Sequence, residues 1–235
     1  MSRSNPRESA PNPAVRWFEW NGEHGTVRYY DKAEKVNVDV PLPFTFLLLD
    51  ELASVRGWHD ASQSGIYSNE VRDTTKDVLV VKTFKGETLA EGYYKAIKDR
   101  VNGQGGHYVA NCYIAAKVDG ELAICSLRFK ASALGAWMEF RKANRGQLFE
   151  RAVRIGGFTE GKKGRITFRM PTYELIAVTP ETNHQAVGLD ATLQTWLEGY
   201  LQRRTRDQVD AAPEERGVDQ SDDHHHGTTV DDIPF

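Results

Sequence analysis

The sequence predicts a mainly β domain with peripheral helices, followed by an acidic tail. Short apolar segments separated by turn residues dominate residues 15–178, a pattern typical of antiparallel strands. Helical periodicity is confined to three segments. Beyond Thr205 both periodicity and apolar content fall, so that stretch cannot bury enough surface to offset its chain entropy. We therefore expect a disordered N-terminus over residues 1–14, a β-rich domain over 15–205 and a disordered tail over 206–235.

The first half of the domain is predicted as six strands and a helix. "VRWFEW" and "HGTVRYY" flank Asn21-Gly22, which is a strong turn signal. "KVNVDV", "FTFLLLDELASVRGW", "GIYSNEV" and "DVLVVKTF" read as the next strands. The period then changes, because Leu89, Tyr93, Ala96 and Ile97 fall on one helical face. This predicts a helix near 88–101.

A long hairpin, "HYVANCYIAAKVDGELAICSLRFK", is the clearest unit of the sequence. Asp119-Gly120 is a preferred two-residue turn, so Val118 should pair with Glu121. This register predicts one face for the core, formed by Cys112, Ile114, Ala116, Val118, Ala123, Cys125, Leu127 and Phe129. The other face is predicted to be exposed to solvent and carries Asn111, Tyr113, Lys117, Ser126, Arg128 and Lys130.

The remaining elements are two helices and a second hairpin. "ASALGAWMEFRKA" predicts a helix near 131–143, and "RAVRIGGFTEGKKGRITFRM" predicts a hairpin that turns at Gly161–Gly164. "TYELIAV" is the last strand. A final helix should begin after Asp190, a good N-cap. It should dock on the domain through a stripe formed by Leu193, Trp196, Leu197, Tyr200 and Leu201.

Composition and motifs favour a cytoplasmic binding protein over an enzyme. The chain has 40% apolar residues, no apolar run long enough to span a membrane and no signal-peptide pattern. Cys112 and Cys125 lack metal-like spacing and are expected to be buried thiols. No motif for a catalytic centre or a phosphate-binding loop is present, and His224–His226 is a short tract in a polar tail rather than a metal site. We expect no enzymatic activity, no metal and no cofactor.

The net charge of −3 is divided unevenly along the chain. From Asp207 onward there are nine acidic residues and one basic residue, which leaves 24 acidic and 29 basic residues in the part before it. The domain therefore carries about +5 and the tail about −8. A basic domain suits a polyanion, and an acidic tail suits a basic partner or the basic groove of its own domain.

The chain ends in "DDIPF", and this acidic ending resembles the C-terminal tip of bacterial single-stranded DNA-binding proteins. The resemblance implies that the tip recruits replication, recombination and repair proteins. By position, Asp231 and Asp232 would face a basic rim on the partner, and Ile233 and Pro234 would pack beside an apolar pocket. Phe235 would insert its ring and present its terminal carboxylate to an arginine or lysine. Val230 stands where the family often has another acidic residue.

The domain itself, with its interposed helices, resembles the virus-encoded members of this family. That resemblance implies a phage protein with a single OB-like antiparallel barrel that binds single-stranded DNA with little sequence preference. Strand binding needs cations for phosphates and aromatic rings for bases. On that basis the candidate DNA-binding residues are Trp17, Tyr29, Tyr30, Trp58, Lys82, Phe84, Lys85, Asn111, Tyr113, Lys117, Arg128, Lys130, Arg154, Lys162, Lys163, Arg165 and Arg169. Two alternative functions remain in which the tail would dock the protein to the replication machinery: a small nuclease and a phage strand-annealing protein.

Overall fold

The computed structural model describes residues 11–202 of the chain. The predictions for residues 1–10, for the tail and for the C-terminal tip at Asp231–Phe235 therefore lie outside the described residues. In the described part, three α-helices accompany eleven strands. The prediction of a mainly β domain with peripheral helices is confirmed.

Strands β1 to β11 follow the predicted order with two differences: β7 is additional, and the predicted last strand "TYELIAV" is continuous with the second strand of the second hairpin, as β11. Their bounds are β1 Arg16–Asn21, β2 Thr26–Asp31, β3 Val36–Val40, β4 Phe44–His59, β5 Ser64–Ser68, β6 Leu79–Thr83, β7 Thr88–Gly92, β8 Gly106–Val118, β9 Glu121–Lys130, β10 Ala152–Lys163 and β11 Ile166–Ile176. A single turn of 3-10 helix at Asp60–Ser62 joins β4 to β5. The helices are α1 Tyr94–Gly103, α2 Ala131–Ala143 and α3 Pro180–Leu201.

The strands form one branched, open sheet. Its main path runs β3-β2-β1-β9-β8-β4-β5-β6-β7, with β1 parallel to β9 and the other neighbours antiparallel. The long strand β4 is the branch point. On one side it pairs with β8 from Phe46 to Gly57, and on the other it pairs first with β10 and later with β5. The end strands β3 and β7 do not pair with each other in residues 11–202. The sheet is therefore not closed, and the predicted OB-like barrel is not confirmed.

The hairpin of β8 and β9 has the predicted register. Val118 pairs with Glu121, and the two turn residues have positive φ, 53° at Asp119 and 92° at Gly120, as a type I′ turn requires. The second hairpin turns later than predicted. Lys163 pairs with Ile166, so the two turn residues are Gly164 and Arg165, and the lysines belong to the strand.

The helix predicted near 88–101 is wrong over its first five residues. Residues 88–92 form β7, which pairs with β6 and buries Leu89 and Ala90. The helix then begins at Tyr94 and buries Tyr94, Ile97 and Val101, whereas Tyr93 is exposed. Pairing with the neighbouring strand β6 thus overrides the helical spacing of Leu89 with Tyr93, Ala96 and Ile97.

The final helix also begins earlier than predicted. Thr179, not Asp190, is its N-cap, and the Thr179 side chain accepts a hydrogen bond of 3.2 Å from the Thr182 backbone N–H. Pro180 follows, at a position where its missing N–H costs nothing. The predicted docking stripe is confirmed in its buried members, Leu193, Leu197 and Tyr200.

Helices cover the two faces of the sheet unequally. The inner face, which bears Phe18, Ile114 and Leu127, packs against α2 and against β10–β11. At the other end of the sheet the inner face packs against α1. The outer face, which bears Tyr113, Ala115 and Ile124, packs against α3 over only part of its area. The uncovered part of the outer face is where polar and aromatic side chains remain accessible.

Both cysteines are free and buried, as predicted. Burial raises the pKa of the Cys125 thiol to about 11 and raises that of Cys112 well above its ordinary value. Neither thiol therefore ionises near neutral pH, and the two residues serve the core of the inner face.

Candidate nucleic-acid interface

The uncovered half of the outer face carries a row of cations with aromatic rings at both ends. We call it the cationic strip. Strand register places its members on one side of the sheet, because residues two apart on a strand share a face. The strip consists of Trp17, Arg28, Tyr30, Arg56, Trp58, Tyr67, Lys82, Phe84, His107, Arg128 and Lys130. It crosses seven neighbouring strands, from β2 to β6, a width of roughly 30 Å at the usual strand spacing.

The middle of the strip is set by two rows of cross-strand partners. In the first row Arg28 pairs with Glu19, and Glu19 pairs with Arg128. In the second row His107, Arg56, Tyr67 and Lys82 are successive partners on β8, β4, β5 and β6. Alternation along β9 places Lys130 between these rows. Side chains with a permanent positive charge from four strands, β2, β4, β6 and β9, thus lie on one face of the sheet.

Aromatic rings occupy the β5–β6 end of the strip. The rings of Tyr67 and Phe84 are stacked, with centroids 4.9 Å apart and planes at 12°. Gly65 allows this arrangement, since a Cβ there would lie 2.4 Å from the Phe84 ring. Trp58 is the register partner of Gly65. Phe84 is 49% exposed, so a further planar group can stack on it.

A second aromatic group lies at the β1–β2 end. Trp17, Tyr30, Arg28, Glu19 and Arg128 line a shallow groove there. The Trp17 ring lies 5.5 Å from the Lys32 ammonium, within cation–π range. Trp17 is only half-buried, which leaves part of its indole accessible from the strip.

One buried ion pair organises the groove. The Arg28 Nε donates a 2.6 Å hydrogen bond to a carboxylate oxygen of Glu19, and the Arg28 Nη2 forms a 2.6 Å ion pair with the same oxygen. Both side chains are buried. Such a pair fixes the direction of the arginine. His107 belongs to the second row of cross-strand partners, next to Arg56. Its pKa is lowered below the ordinary value, mainly by burial and to a smaller extent by the nearby Lys130 ammonium. His107 is therefore neutral at neutral pH and contributes hydrogen bonds rather than charge.

The strip brings together seven of the predicted DNA-binding residues. They are Trp17, Tyr30, Trp58, Lys82, Phe84, Arg128 and Lys130. Sequence reasoning left out Arg28, Arg56, Tyr67 and His107. Alternation within each strand was the available signal, because Tyr67 and Arg56 alternate with the buried Ile66 and Val55. What the sequence did not supply was the order of the strands.

The prediction that the polar face of the β8–β9 hairpin is exposed is wrong at two of its candidate residues. Asn111 and Tyr113 are each 1% exposed. The Asn111 amide donates a 2.7 Å hydrogen bond to the Ser54 hydroxyl. The Tyr113 hydroxyl donates a 2.8 Å hydrogen bond to the Glu70 carboxylate, and its ring packs against Trp196 of α3. Helix α3 covers this part of the face, so neither residue is accessible to DNA.

Replacing Tyr113 by phenylalanine tests this correction. We expect Tyr113→Phe to lower the free energy of unfolding by about 1–3 kcal/mol, because the Glu70 carboxylate loses a buried donor. The affinity for a single-stranded oligonucleotide should stay within twofold of the wild-type value. Chemical denaturation and fluorescence titration measure the two quantities. A matched variant, Tyr67→Leu, removes an accessible ring and should show the reverse pattern; a loss of affinity in Tyr113→Phe would contradict the burial argument.

Four other predicted residues lie outside the strip. Tyr29 is on the inner face, with the Arg16 guanidinium 4.4 Å from its ring centroid. The Lys85 ammonium donates a hydrogen bond to the Ser62 carbonyl. Lys117 is exposed at the far end of β8, beside the hairpin turn. Arg154 forms an ion pair of 3.1 Å with Glu174. The fold places these four residues apart from one another, so it does not support their prediction as members of one DNA-binding surface.

The remaining four predicted residues lie on the second hairpin. Lys162, Lys163 and Arg165 are exposed at its end, and Arg169 is held by contacts closer to its base. This hairpin packs on the inner face of the sheet through Ile155. It is therefore separate from the cationic strip, which lies on the outer face.

Comparisons of the chain with protein-family models, with curated proteins and with solved structures find no match. Among residues 11–202, no group of three or more histidine, cysteine, aspartate or glutamate side chains could hold a metal ion. In the same range no helix is long and apolar enough to cross a membrane.

Proposed function

We propose that this protein binds single-stranded DNA along the cationic strip, with little sequence preference. The cationic strip is the observation that carries the proposal. Its four partly exposed permanent cations, Arg56, Lys82, Arg128 and Lys130, can neutralise phosphates, and the rings at either end can stack on bases. Every base has a π-face and every nucleotide a phosphate, so such a surface binds without reading sequence.

The structure of the strip favours a flexible strand over a duplex as its ligand. The aromatic rings stand on the sheet surface itself, where only an unpaired base can reach them flat. Stacking on one ring is worth about 1–3 kcal/mol. The distribution of rings at the two ends, with cations between them, suits a strand that crosses the sheet from β2 toward β6.

The OB-like classification belongs to this proposal. Although the sheet is open, β11 reaches toward the loop after β1: the Arg169 amide donates a 2.8 Å hydrogen bond to the Gly22 carbonyl, and the Trp20 indole donates one of 2.8 Å to the Arg169 carbonyl. The strands β1, β9, β8, β4, β10 and β11 thus surround the core of the inner face. In an OB-fold, nucleic acid binds on the outside of such a barrel, which is where the strip lies.

We further propose that the acidic tail recruits replication, recombination and repair proteins through its tip, in the cytoplasm of a bacterial host. This part rests on the sequence of residues 206–235 and on its resemblance to the bacterial family. The tail would also compete with DNA for the strip, because its charge of about −8 is opposite to that of the domain. A phage origin is part of the same proposal.

Titration with a fluorescent oligothymidylate at two salt concentrations tests the binding function. Neutralising four phosphates of a single strand gives a slope of log K against log salt of about −2.8. The affinity should therefore fall by roughly 50-fold between 50 and 200 mM salt. An absence of binding at 50 mM salt would refute the proposal, and binding that does not respond to salt would refute the phosphate-contact mechanism.

A further inference from the structure

The second hairpin extends beyond the sheet as a positively charged ribbon that is not part of the cationic strip. We call residues 157–171 the arm. Strand β10 pairs with β4 only as far as Ile155. Beyond that residue, β10 and β11 pair with each other alone up to the two-residue turn at Gly164-Arg165. The arm is therefore a two-stranded ribbon that leaves the sheet.

The base of the arm is fixed beside the strip. In addition to its backbone contacts with Gly22 of the β1–β2 loop and with the Trp20 indole of β1, Arg169 donates from its guanidinium to the Glu23 carbonyl and forms a 3.1 Å ion pair with Glu160. The same guanidinium lies 5.3 Å from the centroid of the Phe158 ring. The loop it contacts follows Asn21 and precedes Thr26, so it lies at the end of β1 and β2 that is next to the Arg28–Glu19 pair and away from Trp17 and Tyr30. The arm thus begins beside Arg28 at the edge of the cationic strip, on the opposite face of the sheet.

The end of the arm is strongly basic. It continues for about four residues past the Arg169–Glu160 pair, or roughly 13 Å. Lys162, Lys163 and Arg165 are exposed there and form no hydrogen bond or ion pair with any other residue from 11 to 202. The segment from Gly161 to Phe168 contains no acidic residue. Three positive charges therefore project from the domain without compensation in its described part.

The chemistry of this end differs from that of the strip. Residues 162–166 carry no aromatic ring. The Phe168 ring packs over Gly161, where a Cβ would lie 2.6 Å from it, and the Phe158 ring, which is 41% exposed, lies nearer the base of the arm, beside Arg169. Cations that stand apart from any exposed ring suit phosphates whose bases are already paired. A two-stranded ribbon also has the width that the major groove of a duplex admits.

We propose that the arm binds duplex DNA, so that the protein prefers the junction between a single strand and a duplex. This inference rests on the proposed function, because the strip must hold the single strand while the arm contacts the adjoining duplex. The position of the arm at the edge of the strip allows one ligand to reach both surfaces. Single-strand affinity depends on the strip, and junction preference depends on Lys162, Lys163 and Arg165.

Fluorescence titration of the full chain with three ligands tests the inference. The ligands are a single-stranded oligothymidylate, a blunt duplex, and a junction that joins the same oligothymidylate to the same duplex. The arm variant is Lys162→Gln, Lys163→Gln and Arg165→Gln together. The control variant is Lys95→Gln, Lys98→Gln and Arg100→Gln, which removes three charges from α1 on the inner face. Circular dichroism of each variant checks that it folds.

We expect the wild-type protein and the control variant to bind the junction about tenfold more tightly than the oligothymidylate. The arm variant should lose this preference and keep its oligothymidylate affinity within twofold. For the junction, the slope of log K against log salt should become less steep by about 2–3 in the arm variant, as three lost duplex phosphate contacts require. Because a general effect of net charge would change both affinities, the ratio of junction affinity to oligothymidylate affinity is not sensitive to it.

Three outcomes would overturn the inference. The first is a wild-type protein that binds oligothymidylate but shows no junction preference. The second is an arm variant that weakens oligothymidylate and junction equally, which would make the arm part of the single-strand path. The third is an arm variant with unchanged affinities for all three ligands, which would assign the arm to a protein partner. Failure to bind oligothymidylate at all would instead refute the proposed function on which the inference rests.

Discussion

Replacing Arg56, Lys82 and Arg128 together by glutamine should weaken oligothymidylate binding by roughly 100-fold at 50 mM salt. These three side chains come from β4, β6 and β9 and are distributed along the cationic strip. Each loss removes one phosphate contact, so the slope of log K against log salt should become less steep by about 2. Fluorescence titration at several salt concentrations measures both quantities.

The α1 control variant distinguishes the loss of cations on the strip from a general loss of positive charge. It removes three positive charges, as the strip variant does, but Lys95, Lys98 and Arg100 lie on the helix that covers the inner face. We expect the control to bind oligothymidylate within two- to threefold of the wild-type protein. Equal losses in the two triple variants would show that binding follows the overall charge of the domain rather than this surface. Thermal unfolding of both variants would show whether either loss comes from unfolding.

Deleting residues 206–235 should have two large and opposite effects. Capture of replication and repair proteins should be abolished, because the tip at Asp231–Phe235 is removed. Oligothymidylate binding should tighten by roughly tenfold at 50 mM salt. Residues 207–235, with a net charge of about −8, then no longer compete with the oligonucleotide for the basic domain. The gain should fall as salt rises, since the attraction between tail and domain is screened. Pull-down from a bacterial lysate and fluorescence titration measure the two effects.

Removing Phe235 alone distinguishes the two roles of the tail. This deletion leaves every acidic residue in place, so the DNA affinity should match that of the full chain. Partner capture should still be lost, because neither the ring nor its terminal carboxylate remains at the required position. If DNA binding tightens as much as it does on deletion of the whole tail, the competition depends on the tip rather than on charge. Unchanged DNA affinity after deletion of residues 206–235 would exclude competition altogether.

Local sequence signals predicted those elements whose partners are close in the chain. Asp119-Gly120 defines the turn and register of the β8–β9 hairpin, because two residues of positive φ are needed there whatever surrounds them. The helix predicted near 131–143 agrees at both ends with α2, Ala131–Ala143. The segment of residues 88–92 was not predicted as a strand, because Leu89 has the spacing of the helical face that Tyr93, Ala96 and Ile97 continue. Only pairing with the neighbouring strand β6 makes this segment a strand.

The sequence by itself determined the division into a basic, strand-rich domain and an acidic tail, because charge and apolar content are additive along the chain. Only the tertiary structure decided which polar faces remain accessible. Tyr113 looks like a surface ring by alternation, yet α3, which lies about 80 residues later in the chain, covers it. Conversely, Arg28, Tyr67 and Arg128 become neighbours on one surface through strand order alone. Burial and proximity depend on contacts between distant segments, and no local pattern contains that information.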